Sequence, residues 1–167
     1  MGYTLTIGEG EVVVDWDEAH ASIDAVSHSG EGIGAPLNSG AVDGDRGNSI
    51  SPSYAVWRHF CEDAGISPVF FTDPGRLSRL GVPVYHLDSA MEFAKRSYPL
   101  LAMHPGAVAL TDEHLAIFEE ARARWVARPR AEYIEDGVDW GLRRLDWLCF
   151  WARWAIDNCE HPVFVNG

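Results

Sequence analysis

The sequence predicts a single α+β domain over residues 1–167, in which a small antiparallel sheet packs against about four helices. Three observations predict this class. Segments that alternate apolar and polar residues lie near the amino terminus, segments with helical spacing follow, and an apolar strand-like segment ends the sequence. This order is typical of helices packed on one face of an antiparallel sheet. A length of 167 residues is usual for one domain.

The first strands are predicted from period-two alternation. Residues 3–7 and 11–16 flank Gly8, Glu9 and Gly10, and this pattern predicts a hairpin that turns at these three residues. Residues 18–27 fit either a third strand or a short helix, because they alternate but are also rich in alanine. We favour the strand, since an isolated two-stranded ribbon is only marginally stable.

Residues 28–53 are rich in glycine, serine and aspartate and contain few large apolar side chains. They predict a long loop, and loops of this length in compact domains are often functional. Asp43 and Asp45 begin a pattern similar to a calcium-binding loop. However, Arg46 adds a positive charge, and Tyr54 occupies the twelfth position, where a glutamate is expected. We therefore interpret these residues as a solvated turn and predict no metal site.

The first helix is predicted to begin at Ser51 as its cap, with Pro52 in the first turn, and to end at Gly65. Its apolar stripe consists of Trp57, Phe60, Cys61 and Ala64. Residues 68–71 are expected to form a short buried strand or an apolar plug. An edge strand is predicted over residues 82–86 and a second helix over residues 88–97.

Two longer helices are predicted after these. Thr111 caps the third helix, Pro129 stops it, and its inward-facing residues are Leu115, Phe118, Ala121 and Trp125. The fourth spans about residues 138–158, and two adjacent apolar stripes indicate a central position. One stripe contains Leu145, Leu148, Ala152, Ala155 and Cys159, and the other contains Trp147, Trp151 and Trp154. We interpret the tryptophan stripe as core packing rather than as a stacking platform for a ligand. Residues 162–165 are predicted to form a closing strand.

The net charge is −12 and is unevenly distributed. Residues 1–75 carry twelve acidic and two basic side chains, whereas residues 76–167 carry thirteen and eleven. Direct nucleic-acid binding is not expected, because phosphate recognition needs cations. A basic or DNA-binding protein partner suits this charge. The candidate partner-contacting residues are Asp15, Asp17, Glu18, Asp43 and Asp45.

The cysteines and the apolar segments predict a cytoplasmic protein. Cys61, Cys149 and Cys159 form no CxxC pair, which argues against a disulfide framework or a structural zinc site. No uncharged apolar stretch approaches the roughly 20 residues that cross a bilayer. The amino terminus has no basic lead typical of a secretory signal. We expect no cofactor.

A small-molecule site is one alternative function. Ser51, Ser53 and Tyr54 join the long loop to a helix amino terminus, where free backbone amides can hold an anion. His104 lies directly before Pro105 and Gly106, next to a tight turn. These four side chains are the candidate ligand-binding residues, and a nucleotide-like signal is the ligand class considered.

A hydrolase is the other alternative. His86 and Asp88 would share one face of a strand, and His104 would complete an acid–base group. No catalytic motif supports this alternative. We therefore favour a binding protein over an enzyme.

Four stretches resemble small acidic proteins of actinobacterial phages and prophages. These are residues 2–9 (GYTLTIGE), 51–57 (SPSYAVW), 104–106 with 110–111 (HPG and LT), and 145–164. Together they cover less than half of the chain. That family has no assigned activity, so the resemblance implies no site residue. It implies a cytoplasmic accessory protein that engages or inhibits a host factor.

Overall fold

The computed structural model describes residues 2–16, 21–26, 47–71 and 106–166, and it confirms the α+β class. The strands are β1 (Leu5–Glu9), β2 (Glu11–Trp16), β3 (Ala21–Val26), β4 (Ser49–Ile50), β5 (Gly106–Ala109), β6 (Ile134–Glu135), β7 (Val138–Asp139) and β8 (Pro162–Asn166). The helices are α1 (Tyr54–Ala64), α2 (Ser67–Phe70), α3 (Asp112–Ala127) and α4 (Trp140–Asn158). Within the described ranges, no helix has the length and apolar character needed to cross a bilayer.

The main sheet has four antiparallel strands in the order β4-β1-β8-β5. Strand β8 was predicted as a closing strand and lies in the interior of the sheet, where Phe164 pairs with Ile7 on one side and with Val108 on the other. Residues 163–165 are all buried, so both faces of β8 are covered, which explains why these three consecutive residues are all large and apolar. The first and last strands of the described chain are therefore hydrogen-bonded to each other.

The predicted hairpin of residues 3–7 with 11–16 is wrong in its pairing. Both strands exist, but β1 pairs with β4 and β8, whereas β2 pairs with β3 in a separate two-stranded sheet. Between the two strands, Gly10 donates its backbone N–H to the carbonyl of His161 at 3.0 Å, so the chain still lies beside the start of β8 where β1 ends. The third strand favoured for residues 18–27 is confirmed as β3.

The predicted start of the first helix is also wrong. Ser53, not Ser51, is the N-cap of α1, and Pro52 lies before the helix with its carbonyl accepting a hydrogen bond from the Tyr3 N–H at 2.9 Å. The carboxyl end is confirmed, because Gly65 adopts the left-handed conformation (φ 71°) that ends the helix. Residues 68–71 form no strand, and most of them belong to the single-turn helix α2.

The end of the predicted loop of residues 28–53 belongs to the main sheet. Strand β4 pairs with β1, and the Asn48 side-chain amide donates to the Ile7 carbonyl at 2.8 Å. The Gly47 carbonyl accepts the indole N–H of Trp147 at 3.0 Å. The rest of this loop, residues 82–86 and residues 88–97 lie outside the described residues.

The core lies between the main sheet and helices α1, α3 and α4. The predicted stripes of α1 and α3 are buried as expected. Thr111 caps α3, and the buried His114 Nδ1 lies 3.2 Å from the Thr111 backbone N–H, which donates to it. The largest fully buried side chains are Trp57, Phe60, Phe70, Phe118, Trp147 and Phe164. The segment between α3 and α4 lies at the surface, next to α1 and to the first turn of α4.

Candidate functional site

An open groove lies between α1, the first turn of α4 and the segment that joins α3 to α4. Its volume is about 460 Å³. We call it the α1–α4 groove, and its lining residues are Val56, His59, Glu132, Tyr133, Glu135, Trp140 and Arg144. Most of these side chains are exposed, so the groove is shallow and accessible from solvent.

One wall of the groove is the outer face of α1. Val56 and His59 are three residues apart and therefore neighbours on one helix face. The opposite face contains the buried stripe that holds α1 against the core. Val56 is consequently an apolar side chain on the exposed side of an amphipathic helix, where polar residues are usual.

The other wall is set by a tight hairpin. Asp136 and Gly137 have φ values of 51° and 77°, the two successive positive angles of a type I′ turn between β6 and β7. Directly after β7, the Asp139 carboxylate accepts the Leu142 backbone N–H at 2.9 Å and caps α4. The turn and the cap together position Glu135 and Trp140, which both line the groove.

The start of α4 is locked to α3 by a close contact. The indole N–H of Trp125 donates to both Asp139 carboxylate oxygens, at 3.0 and 3.2 Å. A Cβ atom at Gly141 would lie 2.0 Å from Cζ2 of Trp125, so only glycine admits the indole ring here. The backbone of the first turn of α4, which carries Trp140, is therefore fixed by a buried contact with α3.

A hydrogen-bonded group anchors the floor of the groove. The largely buried Asp63 carboxylate accepts the Tyr133 hydroxyl at 2.8 Å and the Arg130 guanidinium at 2.9 Å. Burial and this hydrogen bond raise the pKa of Tyr133 far above its ordinary value, so its hydroxyl remains a protonated donor. The Tyr133 ring packs against Trp125, with ring centroids 4.9 Å apart. The floor is accordingly rigid and aromatic.

Cations and rings are already paired along the α4 wall. The Arg143 guanidinium lies 5.4 Å from the centroid of the Trp140 ring, and the Arg144 guanidinium lies 5.3 Å from that of Phe60. Both distances are within the range of cation–π attraction. Arg144 is partly buried, with its charge directed onto an aromatic ring, so it contributes less to the groove surface than an exposed arginine does.

The rim of the groove is acidic. Glu132 and Glu135 are both exposed, and Glu132 forms an ion pair with Arg130 at 3.2 Å. Among the residues that the structure describes, no cation lies within ion-pair distance of Glu135. The groove thus combines an aromatic floor, walls of mixed apolar and basic side chains, and a rim with two carboxylates.

The described cysteines do not offer activated nucleophiles. Burial raises the pKa of the Cys149 thiol to about 11 and moves that of Cys61 higher still. Burial, together with the neighbouring Glu9 carboxylate, raises the pKa of Cys159 to about 12. His161 lies beside this pair, but its Nδ1 atom contacts Glu9 at 3.1 Å. Across the described ranges, no three histidine, cysteine or acidic side chains converge as metal ligands.

Three of the predicted ligand-binding residues are described, and none lines the groove. Ser51 and Ser53 are exposed, and Ser53 bridges Gly2 through the backbone. Tyr54 packs on Tyr3, with ring centroids 4.4 Å apart. The hydroxyl of Ser53 makes no capping hydrogen bond. The structure brings these residues together at the start of α1, and their role as a ligand site stays a prediction.

The other predicted site residues are mostly undescribed. Asp15 lies in β2, where it is the register partner of Ser22. Those that lie outside the described residues are Asp17, Glu18, Asp43, Asp45, His86, Asp88 and His104. The acidic contact surface and the hydrolase group therefore remain predictions.

The groove residues were missed in the sequence, although two signals for them exist. Val56 falls off the apolar stripe of its own helix, and Asp136-Gly137 is a strong hairpin dipeptide. By contrast, the core interpretation of the tryptophan stripe agrees with the structure, since Trp147 and Trp151 are buried. Comparison of the chain with protein-family models, curated proteins and solved structures finds no match.

Proposed function

We propose that this protein is a binding protein that takes a segment of a partner protein into the α1–α4 groove. One observation carries the proposal. Among the residues whose side-chain burial the structure describes, which exclude β2 and β3, four large apolar side chains are exposed: Val56 (45%), Val126 (53%), Ile134 (49%) and Trp140 (37%). Two of these line the groove, and Ile134 lies between two lining residues. Apolar side chains gathered in this way mark interaction sites, whereas isolated ones are normal.

The composition of the groove supports a protein partner over a reaction. Tryptophan and tyrosine are enriched at the centres of protein interfaces, and one of each, Trp140 and Tyr133, lines the groove. The hydroxyl of Tyr133 and the described thiols are held in their protonated forms. Nucleophilic catalysis needs the opposite, a lowered pKa or an adjacent base.

The net charge of the chain indicates what kind of partner it would bind. A net charge of −12 attracts basic proteins over distances of about one Debye length. We extend the proposal to a cytoplasmic accessory protein of phage type that occupies a basic or DNA-binding host factor. The resemblance of residues 2–9, 51–57 and 145–164 to phage proteins supports this extension.

The experiment is a comparative capture from host-cell lysate with the wild type, Trp140→Ala and Val126→Ala. Val126 is the matched control, because it is an exposed apolar side chain of α3 outside the groove. We expect a protein retained by the wild type and by Val126→Ala but lost with Trp140→Ala. Equal retention by all three proteins would show that the groove is not the binding surface.

A second candidate function is small-molecule binding in the same groove. The volume of about 460 Å³ lies within the range of roughly 300–1,000 Å³ found for ligand pockets, and Trp140 offers a face on which a ring can stack. A nucleotide that binds only the folded state would raise the melting temperature of the wild type but not that of Trp140→Ala. A nucleotide panel that leaves the wild-type melting temperature unchanged would refute this candidate.

A further inference from the structure

We infer that the segment bound in the α1–α4 groove is a short peptide in which an arginine or lysine lies close to an apolar side chain. This inference rests on the proposed function and adds the chemistry of the occupant.

The rim provides a carboxylate for a partner cation. Glu135 is exposed and has no ion-pair partner among the described residues. The neighbouring Glu132 is paired with Arg130, but that pair is exposed at both ends, and exposed ion pairs contribute little stability. An incoming cation can therefore engage Glu135 directly and share Glu132 at little cost.

The described arginines near the groove pair with Glu132 but not with Glu135. Arg130 is held by the largely buried Asp63 at 2.9 Å, and Arg144 lies over the ring of Phe60. Arg143 lies over the Trp140 ring on α4. An anionic peptide would meet the rim carboxylates first, and like charges brought together at an interface disfavour binding.

The Trp140 ring adds a second preference for a cation. Its contact with Arg143, at 5.4 Å, shows that one part of the ring interacts with a guanidinium, and the side chain is still 37% exposed. Arginine stacks on such rings more often than lysine does. Val56 and Ile134 leave apolar surface beside it, which suits an aliphatic or aromatic residue next to the cation.

Charge also disfavours a second copy of this chain as the occupant. Each copy carries a net charge of −12, so two copies repel one another at low ionic strength. The same charge attracts a cationic peptide and raises its association rate. The occupant favoured by the described surface is thus a basic, amphipathic segment of another protein.

The test begins with a displayed library of random eight-residue peptides selected on the full chain, with selection on Trp140→Ala in parallel. We expect the wild type to enrich peptides with arginine or lysine within two positions of a large apolar residue. Trp140→Ala is expected not to enrich them. Enrichment of acidic or wholly apolar peptides that depends on Trp140 would overturn the inference and leave the proposed function standing. Absence of any Trp140-dependent enrichment would overturn both.

The strongest enriched peptide is then synthesised, and its affinity is measured by titration calorimetry. Trp140→Ala should weaken binding at least about tenfold, as expected for a central aromatic contact. Because Trp140 lies in the first turn of α4, the exposed Glu135→Gln variant provides an independent check and should weaken binding severalfold. Asp157→Asn, an exposed acid elsewhere on α4, and Val126→Ala should bind as the wild type does.

Two further measurements can overturn the inference. Binding of the peptide should weaken as salt is raised from about 0.05 to 0.5 M, because exposed charge pairs are screened, and salt-independent binding contradicts the cation assignment. Sedimentation of the free protein should show a monomer at the concentrations used. A dimer that Trp140→Ala dissociates would make the second copy the occupant.

Discussion

Trp140 and Trp147 lie two turns apart on the same face of α4, yet their environments differ completely. Trp147 is fully buried; its indole N–H donates to the Gly47 carbonyl at 3.0 Å, and its ring lies near Phe164. Trp140 is partly exposed at the groove. The difference arises from what covers the helix, because Phe164 of β8 and the Gly47 backbone lie against Trp147, whereas Trp140 lines an open groove.

The comparison shows that residue type and helical position do not by themselves assign a role to an aromatic side chain. A tryptophan covered by the sheet contributes to stability through burial, whereas an equivalent one at the edge of the same layer is available for recognition. The two tryptophans lie on the same helix but contact different neighbours. Substitution of Trp147 should therefore affect mainly stability, and substitution of Trp140 should affect mainly binding. Stability and binding measurements can test that separation.

The largest expected effect is on stability. Trp147→Ala should lower the free energy of unfolding by about 3–5 kcal/mol, because it leaves a cavity and removes the donor to Gly47. Trp140→Ala should lower it less, by about 1–2 kcal/mol, since the side chain is already 37% exposed in the folded protein. Urea unfolding followed by circular dichroism measures both. Similar losses of stability for the two variants would contradict the difference in role between Trp147 and Trp140.

The contact that positions the first turn of α4 should have the next largest effect. Gly141→Ala should destabilise the protein by about 1–3 kcal/mol despite the higher helix propensity of alanine, because the new Cβ would overlap the Trp125 ring. Gly47→Ala is the control, as no atom lies within 4 Å of the Cβ it would add. The same urea titration applies, and an unchanged midpoint for Gly141→Ala would show that the ring can move aside.

The smallest expected effect is a pH dependence of the free energy of unfolding that arises from the buried His114. Burial lowers the pKa of His114 from 6.5, and the neutral ring accepts the Thr111 N–H at the start of α3. Glu113 opposes this shift but does not cancel it. The folded state therefore binds fewer protons than the unfolded state once the pH falls below about 6.5. The stability from this group is complete above that pH and is lost as the pH falls through the folded-state pKa.

The matched variant for this effect is His114→Gln, because glutamine at the same position preserves a capping box but does not titrate. Unfolding free energies measured between pH 7.5 and pH 5 should fall less steeply for the variant than for the wild type. Parallel pH profiles for the two proteins would show that His114 contributes nothing to acid sensitivity.

Local patterns in the sequence predicted the elements well and their partners poorly. The stripe from Trp57 to Ala64, the cap at Thr111 and the strand at residues 162–165 are all present. The hairpin of residues 3–7 with 11–16 is not, because β1 pairs with a strand about 150 residues later in the chain. Alternation reveals that a segment is a strand but carries no information on which strand lies beside it.

For the candidate site too, local features were predictable from the sequence and contacts between distant segments were not. The tryptophan stripe was correctly assigned to the core, but Trp140 was not recognised as a surface residue, although it is only seven residues before Trp147. The Asp136-Gly137 turn was visible in the sequence and was missed, and with it the hairpin that shapes the groove. The joining of Asp63, Arg130 and Tyr133 under the groove could not be predicted, because it depends on how α1 packs against a distant segment.

The amino-acid sequence by itself determined the α+β class, the approximate extent of the long helices and the burial of their apolar stripes. These features follow from periodicity and capping, which act between residues a few positions apart. Only the tertiary structure decided that β8 lies inside the sheet, that β1 leaves its neighbour in the chain, and that Trp140 remains at the surface. Each of these depends on contacts between segments far apart in the chain, whose geometry no local pattern specifies.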